Sequence, residues 1–311
     1  MSIPETADSE SESFDLSKKI LRGKSMKTAL IMEGGAMRGM FTCGVLDVFM
    51  ENEIRFDGAA GISAGAVFGC NIKSGQAGRA IRYNKKYCRD PRYCSMQSLI
   101  RTGNLYGADF CYREIPDVLD PFDRVAFQEN PLEFYLGATD IKTGKPVYHK
   151  CTDCGQNDMD WMRASASMPM VSRPVEVDGY QLLDGGIVDP VPYRFMEELG
   201  YNRNVLILTQ PKGYRKKKSR MLPLMRLALL RYSAVSFAMA QRHHCYNNQM
   251  DEIDQKEASG ESFVIRPPHP LGIGRTENNP EELERVYQIG RREAEIRLEE
   301  IKTFLKDDPC V

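Results

Sequence analysis

Gly61-Ile62-Ser63-Ala64-Gly65 is the stretch on which the reading of this chain turns. It reads as a serine held on a sharp strand-to-helix turn, with its hydroxyl exposed above a sheet. Gly61 and Gly65 let the chain turn tightly and let helix pack on strand. Alone the pattern is weak: at a glycine frequency of about 7%, a chain of this length contains one by chance roughly one time in ten. The alternative is a Gly/Ser/Ala turn that only joins strand to helix. Its surroundings decide for a nucleophile. Phe56-Asp57-Gly58-Ala59-Ala60 reads as a small-residue strand leading into Ser63, and Ala64 to about residue 73 as a helix.

One strand–turn–helix unit upstream stands Glu33-Gly34-Gly35-Ala36-Met37-Arg38-Gly39. It closes the apolar run Ala29-Leu30-Ile31-Met32, which predicts a buried strand. A glycine-rich strand–helix connection exposes backbone N–H groups and adds a helix N-terminus, a ready anion site. A dinucleotide or phosphate loop is the competing reading. The match to Gly-x-Gly-x-x-Gly is loose, because Ala36 holds the middle position, and the Lys-[Ser/Thr] ending of a nucleotide P-loop is missing. An oxyanion loop fits better, since it explains why a candidate nucleophile follows on the next unit. Each such donor is typically worth about 3–4 kcal/mol of barrier. Arg38 either senses the same negative charge or salt-bridges on the surface.

A serine hydroxyl needs a base. The chain has four histidines, His149, His243, His244 and His269, none in a recognisable turn motif. His243-His244 lie in a polar, helical stretch and read as surface residues. Asp184 ends a strand and precedes Gly185-Gly186, so its carboxylate sits on a tight turn. A buried carboxylate there can accept the Ser63 proton directly. The alternative is an Asx turn, in which Asp bonds its own backbone.

These three segments resemble those of the patatin-like phospholipase family, its bacterial members in particular. That family pairs a Gly-Gly-Gly-x-[Arg/Lys]-Gly oxyanion loop with Gly-x-Ser-x-Gly and a later Asp-Gly-[Ala/Gly]. Ala164-Ser165-Ala166-Ser167-Met168-Pro169 is similar to the Ala/Ser-rich segment that precedes the aspartate in such proteins. The resemblance runs from about residue 27 to 210, and more loosely to 275. It implies a single α/β domain, a mainly parallel sheet with helices on both faces in three layers. It implies Ser63 as nucleophile, Asp184 as general base and the 34–39 loop as oxyanion site, with Gly61, Gly65, Gly185 and Gly186 as supporting motif residues. The implied activity is cleavage of lipid carboxylic esters through an acyl-enzyme, with no metal and no cofactor. Ala36 departs from the family's third glycine. Alanine keeps the N–H but resists positive φ, so the hole is strained if that φ is required.

The remaining sequence sets the frame. The chain has 311 residues, 42% hydrophobic and 27% charged, enough for one large α/β domain. A net charge of −1 gives no argument for nucleic acid, and no such partner is expected. Residues 1–26 read as a disordered acidic tail rather than a signal peptide, residues 27–210 as the core, and 211–311 as completing the same domain. Nine scattered cysteines without an export signal point to reduced thiols and a cytoplasmic location. Cys151 and Cys154, even with His149 nearby, make a poor zinc site. Strands are expected at 134–138, at 147–149 across a 142–145 turn, at 175–177 and 180–183 flanking Asp178-Gly179, at 205–209 and at 263–265. Helices are expected at 160–166 and over 280–306, the latter with Asn279 capping, Pro280 at its first turn and Glu282 completing a capping box.

Arg215 to Arg231 puts a basic cluster beside an apolar helix. That suits contact with a membrane surface or a lid, although a basic loop followed by a core-packed helix is the commoner meaning. Two competing functions stay open: an α/β-hydrolase with a Ser63, Asp184 and His243, His244 or His269 triad, and a non-catalytic lipid-binding relative, which Ala36 alone encourages.

Overall fold

The computed structural model describes residues 26–306, so the expected acidic tail lies, but for Met26, outside the described residues. The first half runs β1 (Lys27–Met32), α1 (Gly39–Glu51), β2 (Gly58–Ile62), α2 (Ala64–Ser74), α3 (Arg79–Tyr87), α4 (Met96–Thr102), α5 (Arg124–Glu129), β3 (Glu133–Asp140), β4 (Pro146–Cys151) and α6 (Gln156–Ser165). The second runs β5 (Val175–Val177), β6 (Tyr180–Asp184), α7 (Tyr193–Glu198), β7 (Tyr201–Ile207), α8 (Leu222–Ala228), α9 (Ser233–Ala258), β8 (Ser262–Ile265), α10 (Pro280–Ile296) and α11 (Leu298–Lys306). Short 3-10 turns at Ala36–Arg38 and Gly185–Ile187 carry the two candidate site loops.

Parallel strands ordered β3-β2-β1-β7-β8 form the centre of one sheet, and β4, β5 and β6 add antiparallel pairs at the β3 side. Alternation along β1 explains the layers. Leu30 and Met32 face a core shared with α1, α2 and α10. Ala29 and Ile31 face a second core built on Tyr193, Met196, Tyr246 and Ile253, from α7 and α9. Burial on both faces is why β1 reads as a continuous apolar run. The fold is the three-layer α/β arrangement expected. Asp178 and Gly179 both have positive φ, 48° and 78°, as the two-residue turn between β5 and β6 requires.

Several expectations need correction. Residues 280–306 form two helices, because the chain turns at Arg297, whose guanidinium reaches the Val264 carbonyl and lies over the Phe263 ring. Asn279 does cap α10, accepting from the Glu281 N–H at 3.1 Å. The capping box is not made: the Asn279 N–H donates to Glu277 at 3.0 Å, and Glu282 pairs with Arg285. The region from 99 to 117, without a clear pattern in sequence, holds the end of α4 and a π-helix at Phe110–Leu119 containing Pro116.

Helix α10 lies directly on α1, the helix that follows the glycine loop. A Cβ added at Gly290 would lie 2.0 Å from the Phe41 carbonyl oxygen, and one at Gly44 2.1 Å from that of Tyr287. Tyr287 also donates to the buried Asp47 at 2.7 Å. Gly290→Ala is therefore expected to destabilise the protein by about 3 kcal/mol, although Gly→Ala in a free helix stabilises by about 1 kcal/mol. A urea midpoint unchanged or raised would show that the two backbones do not meet there.

Candidate active site

Ser63 occupies the first step out of β2 with φ 54° and ψ −119°. That backbone costs a non-glycine residue about 1–3 kcal/mol, so its surroundings must hold it. The Ser63 N–H donates to Ser165 Oγ at 3.0 Å, and the Ser63 carbonyl accepts from Ala66 and Val67 at 3.0 Å as α2 begins. Gly65 lets α2 start against β1: a Cβ there would lie 2.4 Å from the Met32 carbonyl oxygen. The hydroxyl is left partly exposed at the positive end of α2.

Strand β3 brings Asp184 to Ser63. One edge of β3 is taken by β4 along 134–139. The other is taken by β2, ending with Ile62 against Gly137. A strand has two edges, so β6 takes over the second edge at the next residue, pairing Asp184 with Ala138. The last residue of β2 and the last of β6 thus meet on consecutive residues of β3. The Ala/Ser-rich segment after α6 braces both. Ser165 Oγ accepts from Ser63 and donates to the Gly137 carbonyl at 2.7 Å, while the Ser167 carbonyl accepts from the Asp184 N–H at 2.8 Å. Thr139 Oγ1 donates to the Asp184 carbonyl at 2.8 Å.

Asp184 is 2% exposed. Oδ1 accepts from the Gly186 N–H at 2.7 Å, so the Asx-type turn read as an alternative is present as well. Oδ2 is buried with no hydrogen-bond partner among the described residues. Burial raises the carboxyl pKa above the usual carboxylate value; Arg242, the Ser63 hydroxyl, the Gly186 N–H and Lys216 pull it back. One oxygen is therefore tethered by the Gly186 N–H, and the carboxyl lies within reach of the Ser63 hydroxyl.

The glycine loop lies against Ser63: a Cβ on Gly34 would sit 3.0 Å from Ser63 Cβ. Glu33 anchors its start, accepting from Thr209 N–H at 2.6 Å, Thr209 Oγ1 at 3.0 Å and Tyr246 OH at 2.9 Å. The Arg38 N–H closes back on the Gly35 carbonyl at 3.2 Å, and the Gly39 N–H on the Ala36 and Met37 carbonyls. Those two amides are used within the turn, which leaves Gly34, Gly35, Ala36 and Met37 as the donors outside it.

None of the four histidines hydrogen-bonds to Ser63 or Asp184. His149 Nε2 meets Asp158 Oδ1 at 2.7 Å and its ring stacks on Trp161; His243 and His244 lie side by side on α9. His149, Cys151 and Asp158 do cluster, with Asp158 the member that sequence spacing missed. Its Oδ2 already accepts three backbone N–H groups, from Thr152, Asp153 and Cys154, which accounts for the cluster as a loop clasp. Sequence reading also missed Ser165 as a brace and Arg242, whose Nε donates to the Gly186 carbonyl at 2.6 Å. Arg242 carries no local signal: it sits beside His243 in what reads as a polar helix surface.

Ala36 has φ +50°. The left-handed backbone favoured by the family's glycine is thus adopted by alanine, at a cost of about 1 kcal/mol. Ala36→Gly is expected to leave the melting temperature unchanged or higher, where Ala→Gly normally lowers stability by about 0.5–1 kcal/mol. A clear loss would mean that this residue is unstrained.

A family model described as patatin-like phospholipase matches residues 30–196, and a domain of unknown function matches 232–306. The uncharacterised protein YjjU of Escherichia coli is 30% identical over 282 residues, 85% of this chain and 75% of that protein. An uncharacterised NTE family protein of Mycobacterium tuberculosis, Rv1063c, is 30% identical over 174 residues, 55% of this chain and 46% of its own length. Lysophospholipase nte1 of Aspergillus terreus is 23% identical over 317 residues, 91% of this chain but 18% of that protein. The chain thus spans about half of the mycobacterial relative and a small part of the fungal one. Glycine loop, serine elbow and Asp-Gly-Gly turn follow the ends of β1, β2 and β6 in the region that the first model covers, and this chain belongs to the patatin-like phospholipase family.

Proposed function

We propose that the chain hydrolyses carboxylic esters of lipids with Ser63 as nucleophile and Asp184 as its only base. The observation that carries this is the buried Asp184 carboxylate, with one oxygen fixed by Gly186 and the other unpartnered beside the Ser63 hydroxyl. Asp184 takes the Ser63 proton as Oγ bonds to the ester carbonyl carbon. The carbonyl oxygen becomes an oxyanion facing the amides of Gly34 to Met37. Collapse breaks the bond to the alcohol, which leaves with the proton from Asp184. Water then gives a proton to Asp184 and attacks the acyl-enzyme. The second collapse releases the fatty acid and returns the proton to Ser63. The raised Asp184 pKa makes it a better base than an ordinary carboxylate.

The triad reading has less support, because none of the four histidines hydrogen-bonds to Ser63 or Asp184 among the described residues, and His149 is held by Asp158. We further propose that α8 touches a lipid surface, as a peripheral protein on the cytoplasmic side. Leu222 and Leu229 on its inner side pack with Leu183 and Ile187, which bracket Asp184. Met221, Leu224, Leu227 and Leu230 on its outer side are 50–72% exposed, with Phe237 beside them at 68%. Lys217, Lys218, Arg220, Arg226 and Arg231 are exposed around them. No helix among the described residues is long and apolar enough to cross a membrane.

Hydrolysis of a lysophospholipid is expected to vanish in Ser63→Ala and to fall roughly 10²–10⁴-fold in kcat for Asp184→Asn, the size of a general-base contribution. The kcat/KM profile should rise with pH through a carboxylate shifted above its usual value, since only ionised Asp184 accepts the proton. Undiminished turnover by Ser63→Ala would sink the reading. For the surface, sedimentation with vesicles containing phosphatidylglycerol should show binding that weakens with salt. Leu227→Glu with Leu230→Glu should abolish it, and absence of binding at low salt would refute the contact.

A further inference from the structure

Arg242, Tyr246 and Gln249 stand four and then three residues apart on α9, so they share one face of that helix. Each grips a segment of the candidate site. Arg242 Nε donates to the Gly186 carbonyl at 2.6 Å. Tyr246 OH donates to Glu33 Oε1 at 2.9 Å, at the start of the glycine loop. Gln249 Nε2 donates to Asp189 Oδ1 at 2.6 Å, and the Asp189 N–H donates to the Gly185 carbonyl at 2.9 Å. One helical face thus holds the Asp184 turn at Gly185 and Gly186 and the glycine loop at Glu33. Tyr246, Gln249, Glu33 and Asp189 are all buried, so these ties are shielded from water.

Arg242 also stands beside the carboxylate. A Cβ built on Gly186 would lie 3.0 Å from Asp184 Oδ1 and 3.6 Å from Arg242 Nη2, so carboxylate and guanidinium flank one residue. The other titratable groups that act on Asp184 are the Ser63 hydroxyl, Lys216 from the loop between β7 and α8, and Tyr112 from the π-helix, whose phenol is kept protonated by burial. Of the effects that favour the ionised carboxylate, that of Arg242 is the largest. Catalytic groups work when neighbours that are themselves fixed hold them within about 0.5 Å of the productive geometry. Ser63, Asp184 and the glycine loop fall in the 30–196 match, whereas α9 falls in the 232–306 segment matched by the domain of unknown function.

We infer that this face of α9 positions the two catalytic loops, Arg242 holding the Asp184 carboxylate through its turn and Tyr246 holding the oxyanion loop through Glu33. The inference rests on the hydrolase reading above and gives the segment of unknown function a part in building the site. Arg242, Tyr246 and Gln249 are positioning residues, since they act through Gly186, Glu33 and Asp189 rather than on the reacting atoms.

The full-length chain is compared with Arg242→Gln, Arg242→Lys and Tyr246→Phe. Hydrolysis of p-nitrophenyl butyrate is followed against pH, with rates divided by the number of sites that a fluorophosphonate labels at completion. In parallel, the Asp184 carboxyl is titrated by carbon-13 NMR, its signal identified by its loss in Asp184→Asn. Arg242→Gln should lower kcat at least about tenfold, since a misplacement of about 1 Å costs up to about 10²-fold. It should also move the pH midpoints of kcat/KM and of the Asp184 signal upward, because removing a neighbouring cation favours the neutral carboxyl. Arg242→Lys keeps the charge and should bring both midpoints back toward those of the wild type. Tyr246→Phe should lower kcat by a similar factor with KM and both midpoints unchanged. A wild-type kcat in Tyr246→Phe, or an Asp184 midpoint unmoved in Arg242→Gln, overturns the inference and leaves the hydrolase standing. Tyr246→Phe, which removes one hydroxyl, carries the test if Arg242→Gln does not fold. No turnover by the wild type, with an Asp184 titration that still depends on Arg242, would support the positioning role and count against the hydrolase.

Discussion

A carboxylate buried beside a serine is the constraint around which this chain is built. Burial disfavours the charged form of Asp184, while Arg242, the Ser63 hydroxyl and the Gly186 N–H favour it. Its pKa is raised, so the folded state holds a proton more tightly than the unfolded chain does. The contribution of Asp184 to stability therefore falls as pH climbs from the usual carboxylate value through the raised one. The fold accepts this because its backbone is held elsewhere: Thr139, Ser167 and Gly186 fix the main chain and the other oxygen. Ser63 stores strain in the same way, with Ser165 holding it in a backbone that serine disfavours. Ser63 and Asp184 are both tied to one strand, β3, and to one short segment at the end of α6, through Ser165 and Ser167.

Around that pair the chain arranges charge asymmetrically. Ser63 sits at the positive end of α2 with the glycine loop against it, while Arg242 and Lys216 act on Asp184 from later in the sequence. Arg242 acts on both the turn and the carboxylate. It holds the Gly186 carbonyl, steadies the turn that fixes Asp184 Oδ1, and its charge pulls the Asp184 pKa down against burial. Burial and cation thus act in opposite directions on the Asp184 carboxyl, and burial is the larger effect.

Much of this was legible in sequence. The apolar run before Gly34 and the small-residue strand before Ser63 gave the parallel centre of the sheet, because strands buried on both faces carry no alternation. Asp178-Gly179 gave the β5–β6 hairpin, because few residues other than glycine and Asx tolerate positive φ. Ser63, Asp184 and the loop were named from their turns. What sequence withheld was long-range. The handover from β2 to β6 on one edge of β3 depends on pairings between residues far apart. Ser165 and Arg242 act across gaps that no local pattern spans. The sign of φ at Ala36 depends on how β1 and α1 meet. The break at Arg297 reflects a contact with β8, invisible to helical periodicity. The spacing of Asn279 and Glu282 fitted a capping box, but Glu277 reached the same N–H first.

The most direct measurement of the central claim is the rate of fluorophosphonate labelling, followed by intact mass. The proteins compared are the wild type, Asp184→Asn and the combined His243→Gln, His244→Gln, His269→Gln variant. One adduct forming at equal rates in wild type and the histidine variant, and far more slowly in Asp184→Asn, is the expected result. Rapid labelling of Asp184→Asn together with a silent histidine variant would contradict the account and hand the base to an imidazole.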